Sequence, residues 1–254
     1  GFNILLAAVF FPLLPAYAAL LRRLLPEQAK DASPEAPRYL ETSEGGIPLR
    51  LGGATREALR LVETLEEMLR SLREALRAPD RRVIDEARRL DDRLDRLSRA
   101  IKANLLSIDP AAMDEETSYR LTRILTFSID LEQAGDLVSR GLLGIAERRL
   151  KRGVAFSEQG ASDLIARVER LLTILQTSTA VFLEGDLQAA RALTQQKDVL
   201  RQADDKAVAA HFDRLRSGNI EAVETSTLHL DALRDLRQVA GLLIEASAYP
   251  ILKR

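Results

Sequence analysis

The chain has 254 residues, 46% hydrophobic, 30% charged and only 4% aromatic, with no Trp and no Cys. Its 37 basic and 38 acidic residues lack the basic excess that phosphate-backbone binding requires, so no nucleic-acid partner is expected. The absence of Cys excludes disulfides, thiolate metal sites and thiol catalysis, and with two histidines, His211 and His229, a metal would have to be held mainly by carboxylates, which suits hard or borderline cations.

The sequence opens on Gly1 rather than Met, so a fragment or a processed product is expected. Residues Phe2 to Leu21 carry no charge, a run about long enough to cross a bilayer core of roughly 30 Å. Pro12 and Pro15 are kinks that a membrane helix tolerates. Arg22 and Arg23 follow at once, which places what comes after on the cytoplasmic side. Residues 1–25 are thus expected to form a truncated transmembrane helix in the cell membrane. A signal peptide is the alternative, since Ala16-Tyr17-Ala18 has a small-x-small form, but no basic stretch precedes the run and it continues past that point. A buried core helix is rarely apolar all round. Residues 26–53, rich in Pro, Gly, Ser and Glu, read as a linker without helical period.

From Ala54 the period becomes helical. A first helix is predicted over 54–77, with Leu59, Val62, Leu65, Leu69, Leu72 and Leu76 as its apolar stripe. Ala78-Pro79-Asp80 breaks it and Asp80 can cap a second helix over 81–107. After Ile108-Asp109-Pro110 a third runs over 114–151, ending near Gly153. Ser157 to Leu183 forms a fourth, Glu184-Gly185-Asp186 a turn, and 187–215 a fifth. Ser217-Gly218-Asn219 then leads into a sixth over 220–248, stopped by Pro250. The expected fold is all-α: one N-terminal transmembrane helix followed by six helices in two repeats, 54–152 and 153–254.

The repeats overlay. LDDRLDRL (Leu90–Leu97) falls on QKDVLRQA (Gln196–Ala203), and DLEQAGDL (Asp130–Leu137) on HLDALRDL (His229–Leu236). A period of about one hundred residues is too long for a solenoid unit and suggests two three-helix bundles about a pseudo-twofold axis. Each third helix carries acids four apart, Glu132 with Asp136 and Asp231 with Asp235. Such pairs share one helix face and repel unless a cation sits between them. The second helix adds Asp91 and Asp95, with Asp92 beside them. If the second and third helices pack together, these acids make an oxygen-ligand cluster for a divalent or iron-type metal; otherwise they are a solvated face on a helical scaffold. In the second repeat Lys197 and Arg201 replace Asp91 and Asp95, so salt bridges to Asp231 and Asp235 are expected there. His229 is either a ligand beside Asp231 or a surface or capping residue. There is no nucleophile–base arrangement, P-loop or dinucleotide fingerprint, so no enzyme is expected.

DLEQAGDL within a duplicated six-helix domain resembles the PhoU family of phosphate-uptake regulators. The tail HFDRLRSGNIEAVETSTLHLDALRDLRQVAGLLIEASAYPIL (His211–Leu252), the linker PRYLETS (Pro37–Ser43), the helix start ATREALRL (Ala54–Leu61) and the opening GFNILLAAVFFPLLP are similar to the last membrane span and PhoU-like tail of bacterial sodium/phosphate cotransporters of the type II-related group. Val239-Ala240-Gly241 stands where that group often has Ile-Asn-Ser. The resemblance implies that Glu132 and Asp136, supported by Asp91 and Asp95, and in the second half Asp231 and Asp235, are metal ligands. It implies sodium-coupled phosphate transport for a longer, multi-pass protein, with an upstream transporter domain, phosphate and sodium as its partners. The cytoplasmic domain would regulate transport through metal-dependent packing or through a second copy or a signalling protein. A membrane-anchored or free-standing PhoU-like regulator is the alternative.

Overall fold

In a computed structural model of the chain, residues 36–40 and 46–253 are described. The predicted span Phe2–Leu21 lies outside them; among the described residues, no helix is long and apolar enough to cross a membrane. Among the described residues every regular element is a helix. Its α-helices are α1 (Ile47–Arg77), α2 (Arg81–Leu106), α3 (Glu115–Asp136), α4 (Leu143–Arg152), α5 (Glu158–Glu184), α6 (Leu187–Arg216), α7 (Ile220–Glu224) and α8 (Ser226–Leu252). A 3₁₀ turn, Pro110–Ala112, precedes α3, and a π-helical turn, Leu137–Leu142, joins α3 to α4.

The starts and stops follow local chemistry. Asp80 accepts from Arg82 N at 2.7 Å, Asp114 from Thr117 N at 2.8 Å, Asp186 from Ala189 N at 2.6 Å and Asn219 from Ala222 N at 2.7 Å. Each occupies one of the amide donors that a helix start leaves without an intrahelical partner. Gly153 and Gly185 end α4 and α5 in the left-handed region, at φ 66° and 70°, where a Cβ would be strained.

Three boundaries differ from expectation. Helix α1 starts at Ile47, inside the expected linker 26–53: Pro48 fits the first turn, and Gly52-Gly53 does not interrupt the helix. The sixth helix is divided at Thr225, which is buried and whose hydroxyl donates to Glu221 O at 2.7 Å. Helix α8 also runs through Pro250 to Leu252. So close to the end, a proline forfeits a single ladder bond, and Lys253 N still reaches Tyr249 O at 3.1 Å.

Helix α1 packs on α2, α3 and α5, and α8 packs on α3, α5 and α6. Helices at matching places in the two expected repeats therefore meet, α1 with α5 and α3 with α8, and residues 37–254 form one compact unit. Leu65, Leu69, Leu72 and Leu76 of the predicted stripe are fully buried, joined by Leu61 and Met68. Phe127 of α3 stacks on Phe182 of α5, centroids 3.9 Å apart. The segment Pro37–Leu40 is strapped onto α1. Arg38 N and Tyr39 N both donate to Oε1 of the fully buried Glu57, whose other oxygen lies 2.9 Å from Arg60. A Cβ at Gly53 would lie 2.2 Å from the Tyr39 carbonyl oxygen, so only glycine admits the strap.

Candidate metal centre

Helices α2 and α3 are brought close by a missing side chain: a Cβ on Gly135 would lie 2.8 Å from Leu94. At that approach Asp91 and Asp95 of α2 meet Asp136, the last residue of α3. One oxygen from each of the three carboxylates lies within 4.8 Å of the others. All three are half-buried. Burial pushes the Asp91 carboxyl above its ordinary range, a Ser139 hydrogen bond opposes this, and the charges of Asp95 and Asp136 add to the rise. Asp95 is also raised, by burial first and then by Asp136 and Glu132. Asp91 Oδ1 is buried without a hydrogen-bond partner, and the exposed Arg140 reaches Asp136 at 2.9 Å.

The donor set fits a hard cation. Three carboxylate oxygens no more than 4.8 Å apart can be spanned by an ion with oxygen bonds of about 2.3–2.6 Å. A cation there would supply the orphaned Asp91 oxygen with a partner and remove the mutual repulsion of the three acids.

The remaining predicted ligands are placed elsewhere. Glu132 accepts from Ser98 Oγ at 2.7 Å and from Lys102 at 2.5 Å. Burial raises its pKa, but these two partners outweigh that and hold it below the ordinary range. Asp231 and Asp235 are bridged by Arg234 of their own helix, at 3.1 Å to each, so a guanidinium sits between this second acid pair. The expected salt bridges from Lys197 and Arg201 do not form. Lys197 reaches Glu245 at 2.5 Å and the Tyr249 hydroxyl at 2.9 Å, and Arg201 lies 3.6 Å from Asp198. Those lysine and arginine positions face different turns of α8 and α6 from the one that holds Asp231 and Asp235.

His229 is neither a surface cap nor part of an acid cluster. It is 2% exposed and stacks on His211 with centroids 4.7 Å apart, its Nε2 lying 3.5 Å from Arg214. Burial drives its pKa down to about 3, with His211 and Arg214 contributing.

Sequence reasoning missed the π turn. It places Ser139, whose hydroxyl opposes the rise in the Asp91 pKa, and Gly141, whose Cβ would lie 2.6 Å from Asp235 Oδ2. One turn of backbone thus contacts the acid clusters of both repeats. Gly141 and Ser139 in an otherwise regular helix were the available signal, since π turns concentrate at sites where a helix must accommodate a neighbour.

Comparison with known proteins agrees with this architecture. Residues 58–141 match the PhoU domain family, a range that contains Asp91, Asp95 and Asp136. The whole chain is 32% identical to the putative inorganic phosphate export protein YjbB of Escherichia coli K12 and spans 46% of that relative's length. The chain therefore covers about half of the curated relatives of this kind. Over 184 residues, 70% of this chain and 73% of the relative, it is 28% identical to the phosphate-specific transport system accessory protein PhoU homolog 1 of Thermotoga maritima. The crystal structure of PhoU from Pseudomonas aeruginosa superposes on 82% of the chain and all of its own length with a TM-score of 0.71 at 18% identity. The phosphate transport system regulatory protein PhoU from Streptococcus pneumoniae gives 0.70 at 17%, covering 82% and 98%. The fold is all-α and PhoU-like.

Proposed function

We propose that this chain is a PhoU-like regulatory module acting on the movement of phosphate across a membrane, with the Asp91–Asp95–Asp136 cluster as its metal-binding control site. The convergence of those three carboxylates between α2 and the end of α3, inside the stretch that matches the PhoU domain family, carries the reading. The full-length identity to a phosphate export protein and the partial identity to a phosphate-transport accessory protein support the phosphate context. No chemistry on phosphate is assigned to the module.

A bound divalent cation would supply charge to join α2 to α3. The chain's own residues do the positioning: Ser139 on the π turn steadies the charged form of Asp91, Gly135 allows the two helices to close, and Arg140 pairs with Asp136. Packing between the two helices then depends on occupancy. The α2–α3 seam is the moving part of the switch.

The apolar run Phe2–Leu21 supports a membrane attachment with the helical module on the cytoplasmic face. The printed name of the relative that matches the whole chain speaks of export, where the sequence resemblance implies sodium-coupled symport, so the regulator reading is preferred to the symporter one. Phosphate flux measured in cells carrying the full-length protein separates them. Efflux that changes its phosphate set-point when Asp91 and Asp136 are both replaced by Asn supports the regulatory reading. Flux unchanged by that double substitution overturns it, and uptake driven by a sodium gradient restores the symporter reading.

A further inference from the structure

The second repeat is not packed like the first. Helix α2 lies along α1 over a leucine seam, whereas α6 leans on α8 and meets α5 only sparsely. The cause is composition. Along the faces that α5, α6 and α8 turn toward one another the chain places Ala166, Ala203, Ala207, Ala210 and Ala240, and these leave a groove of about 610 Å³. That volume lies within the range of about 300–1,000 Å³ typical of small-ligand sites.

The groove has an apolar floor, including Leu171, Leu200 and Leu236, and charged walls. Its charges divide into two groups. Arg167 pairs with Asp204, and Asp163 pairs with Arg214 at 3.1 Å. Arg170, Lys206 and Arg237, which also line it, are exposed and have neither a hydrogen bond nor an ion pair among the described residues. Three cations without a hydrogen bond or ion pair, one of them, Arg237, within electrostatic reach of Asp204, therefore border an apolar floor. Asp204, only 5% exposed, receives Arg167 on one oxygen while its Oδ2 is buried without a hydrogen-bond partner. A buried acceptor left unpaired is costly, and the ligand that relieves the cost must bring an N–H or O–H donor into the groove.

We propose that this groove is a binding site for a nucleoside phosphate, with the phosphates held by Arg170, Lys206 and Arg237 and the base lying over Leu171, Leu200 and Leu236 with a donor directed at Asp204. An aliphatic anion such as a fatty acid would satisfy the cations but would bury the Asp204 carboxylate against hydrocarbon. Free phosphate would leave the apolar floor wet. A flat ring that carries donors and is joined to phosphate meets all three features. Arg237 also acts electrostatically on Asp204, so its movement toward a phosphate would open the approach to the carboxylate. The site is separate from the carboxylate cluster on α2 and α3 and does not depend on the function assigned to it.

Equilibrium titration of the purified chain with ATP, GTP, CTP and UTP tests the proposal, with adenosine, inorganic phosphate and palmitate as partial ligands. Saturable binding of at least one nucleotide is expected, at least about tenfold tighter than adenosine or phosphate, because charge-assisted contacts and ring burial act together. Arg170→Glu with Lys206→Glu should weaken that binding at least about tenfold. Ala203→Leu, which fills the groove from an exposed helix position, should abolish it with the circular dichroism spectrum unchanged. No saturable binding of any of the four up to about 1 mM overturns the proposal. So does phosphate or palmitate binding as tightly as the nucleotides, or nucleotide binding that ignores both sets of substitutions.

Discussion

At Asp91, Asp95 and Asp136 the same residues are a liability without a cation and an anchor with one, which gives a substitution two opposite signatures. Asp95→Asn should raise the melting temperature of chelator-treated protein slightly, since like charges at this spacing cost a few tenths of a kcal/mol. It should also remove most of the rise that manganese or calcium produces in the native chain, a mass-action effect of bound metal. Thermal melts with and without metal check both signs; a variant that melts lower without metal, or still gains fully with it, would rule against the cluster. Lys102 already satisfies Glu132, so Glu132→Gln should leave the metal-induced rise in place. Two further titrating groups oppose each other. His229, held at about pKa 3 by burial, takes up a proton in the unfolded chain first, so its contribution is intact above pH 6.5 and is lost as the pH falls toward 3. Asp130 is raised to about 6 by burial and by Glu245. It takes up its proton in the folded chain first, so its contribution is full below about 3.8 and disappears as the pH rises through 6. Between pH 6 and 4 the two effects partly cancel. Compared with the native chain by denaturant unfolding, Asp130→Asn should lose more stability on acidification over that window, and His229→Phe less.

The acid spacing within one helix was legible from the sequence because residues four apart must share a face. That Asp91 and Asp95 would meet third-helix acids was readable only on the condition that the two helices pack together, and that Glu132 stands outside the trio was not, because it depends on how two helices close. Gly135 sets the closure of α2 on α3, and the π turn Leu137–Leu142 sets the phase of the helix that follows it. Glu132 and Asp136 both precede that turn and stand one helical turn apart, so along α2 Glu132 meets Ser98 and Lys102 while Asp136 meets Asp91 and Asp95. The caps at Asp80 and Asp186 and the stops at Gly153 and Gly185 were readable, since each is a local bargain between one side chain and an unpaired amide or a left-handed turn. The long-range reasons for Gly53 and Gly141 were not. Two neighbouring glycines separate these cases. Gly141→Ala would drive a methyl to within 2.6 Å of Asp235 and should destabilise the fold by about 1–3 kcal/mol. Gly144→Ala meets nothing within 4 Å and should stabilise α4 by about 0.5–1 kcal/mol. Denaturant midpoints of the two variants should move in opposite directions.

Across the whole molecule the repeats are joined through α1 against α5 and α3 against α8, with the Phe127–Phe182 stack between them. The sequence overlay separates two bundles; their packing makes one unit of 37–254. Burial of so much apolar surface between the repeats predicts a single cooperative transition. Phe127→Ala, which removes a fully buried ring, should lower stability by about 3–5 kcal/mol. It should still leave coincident circular-dichroism and fluorescence-label transitions with one label in each repeat. Two separated transitions in the unsubstituted chain would show that the repeats fold independently.

The strap on α1 has a consequence for how this sequence tolerates change. Its hydrogen bonds to Glu57 come from the backbone amides of Arg38 and Tyr39, and it is the Tyr39 backbone carbonyl that occupies the space above Gly53. Recognition of this kind reads the path of the chain rather than its side chains. The visiting segment is therefore free to drift in sequence while its host is not: most replacements at 38–40 other than proline should keep the strap seated, whereas Gly53→Ala should release it. Amide hydrogen exchange offers a direct readout, because the Arg38 and Tyr39 amides are bonded to Glu57 only while the strap is down, so Gly53→Ala should speed their exchange. The seat of the strap is thus written in two residues of α1, Gly53 and Glu57, and not in the side chains of the strap itself.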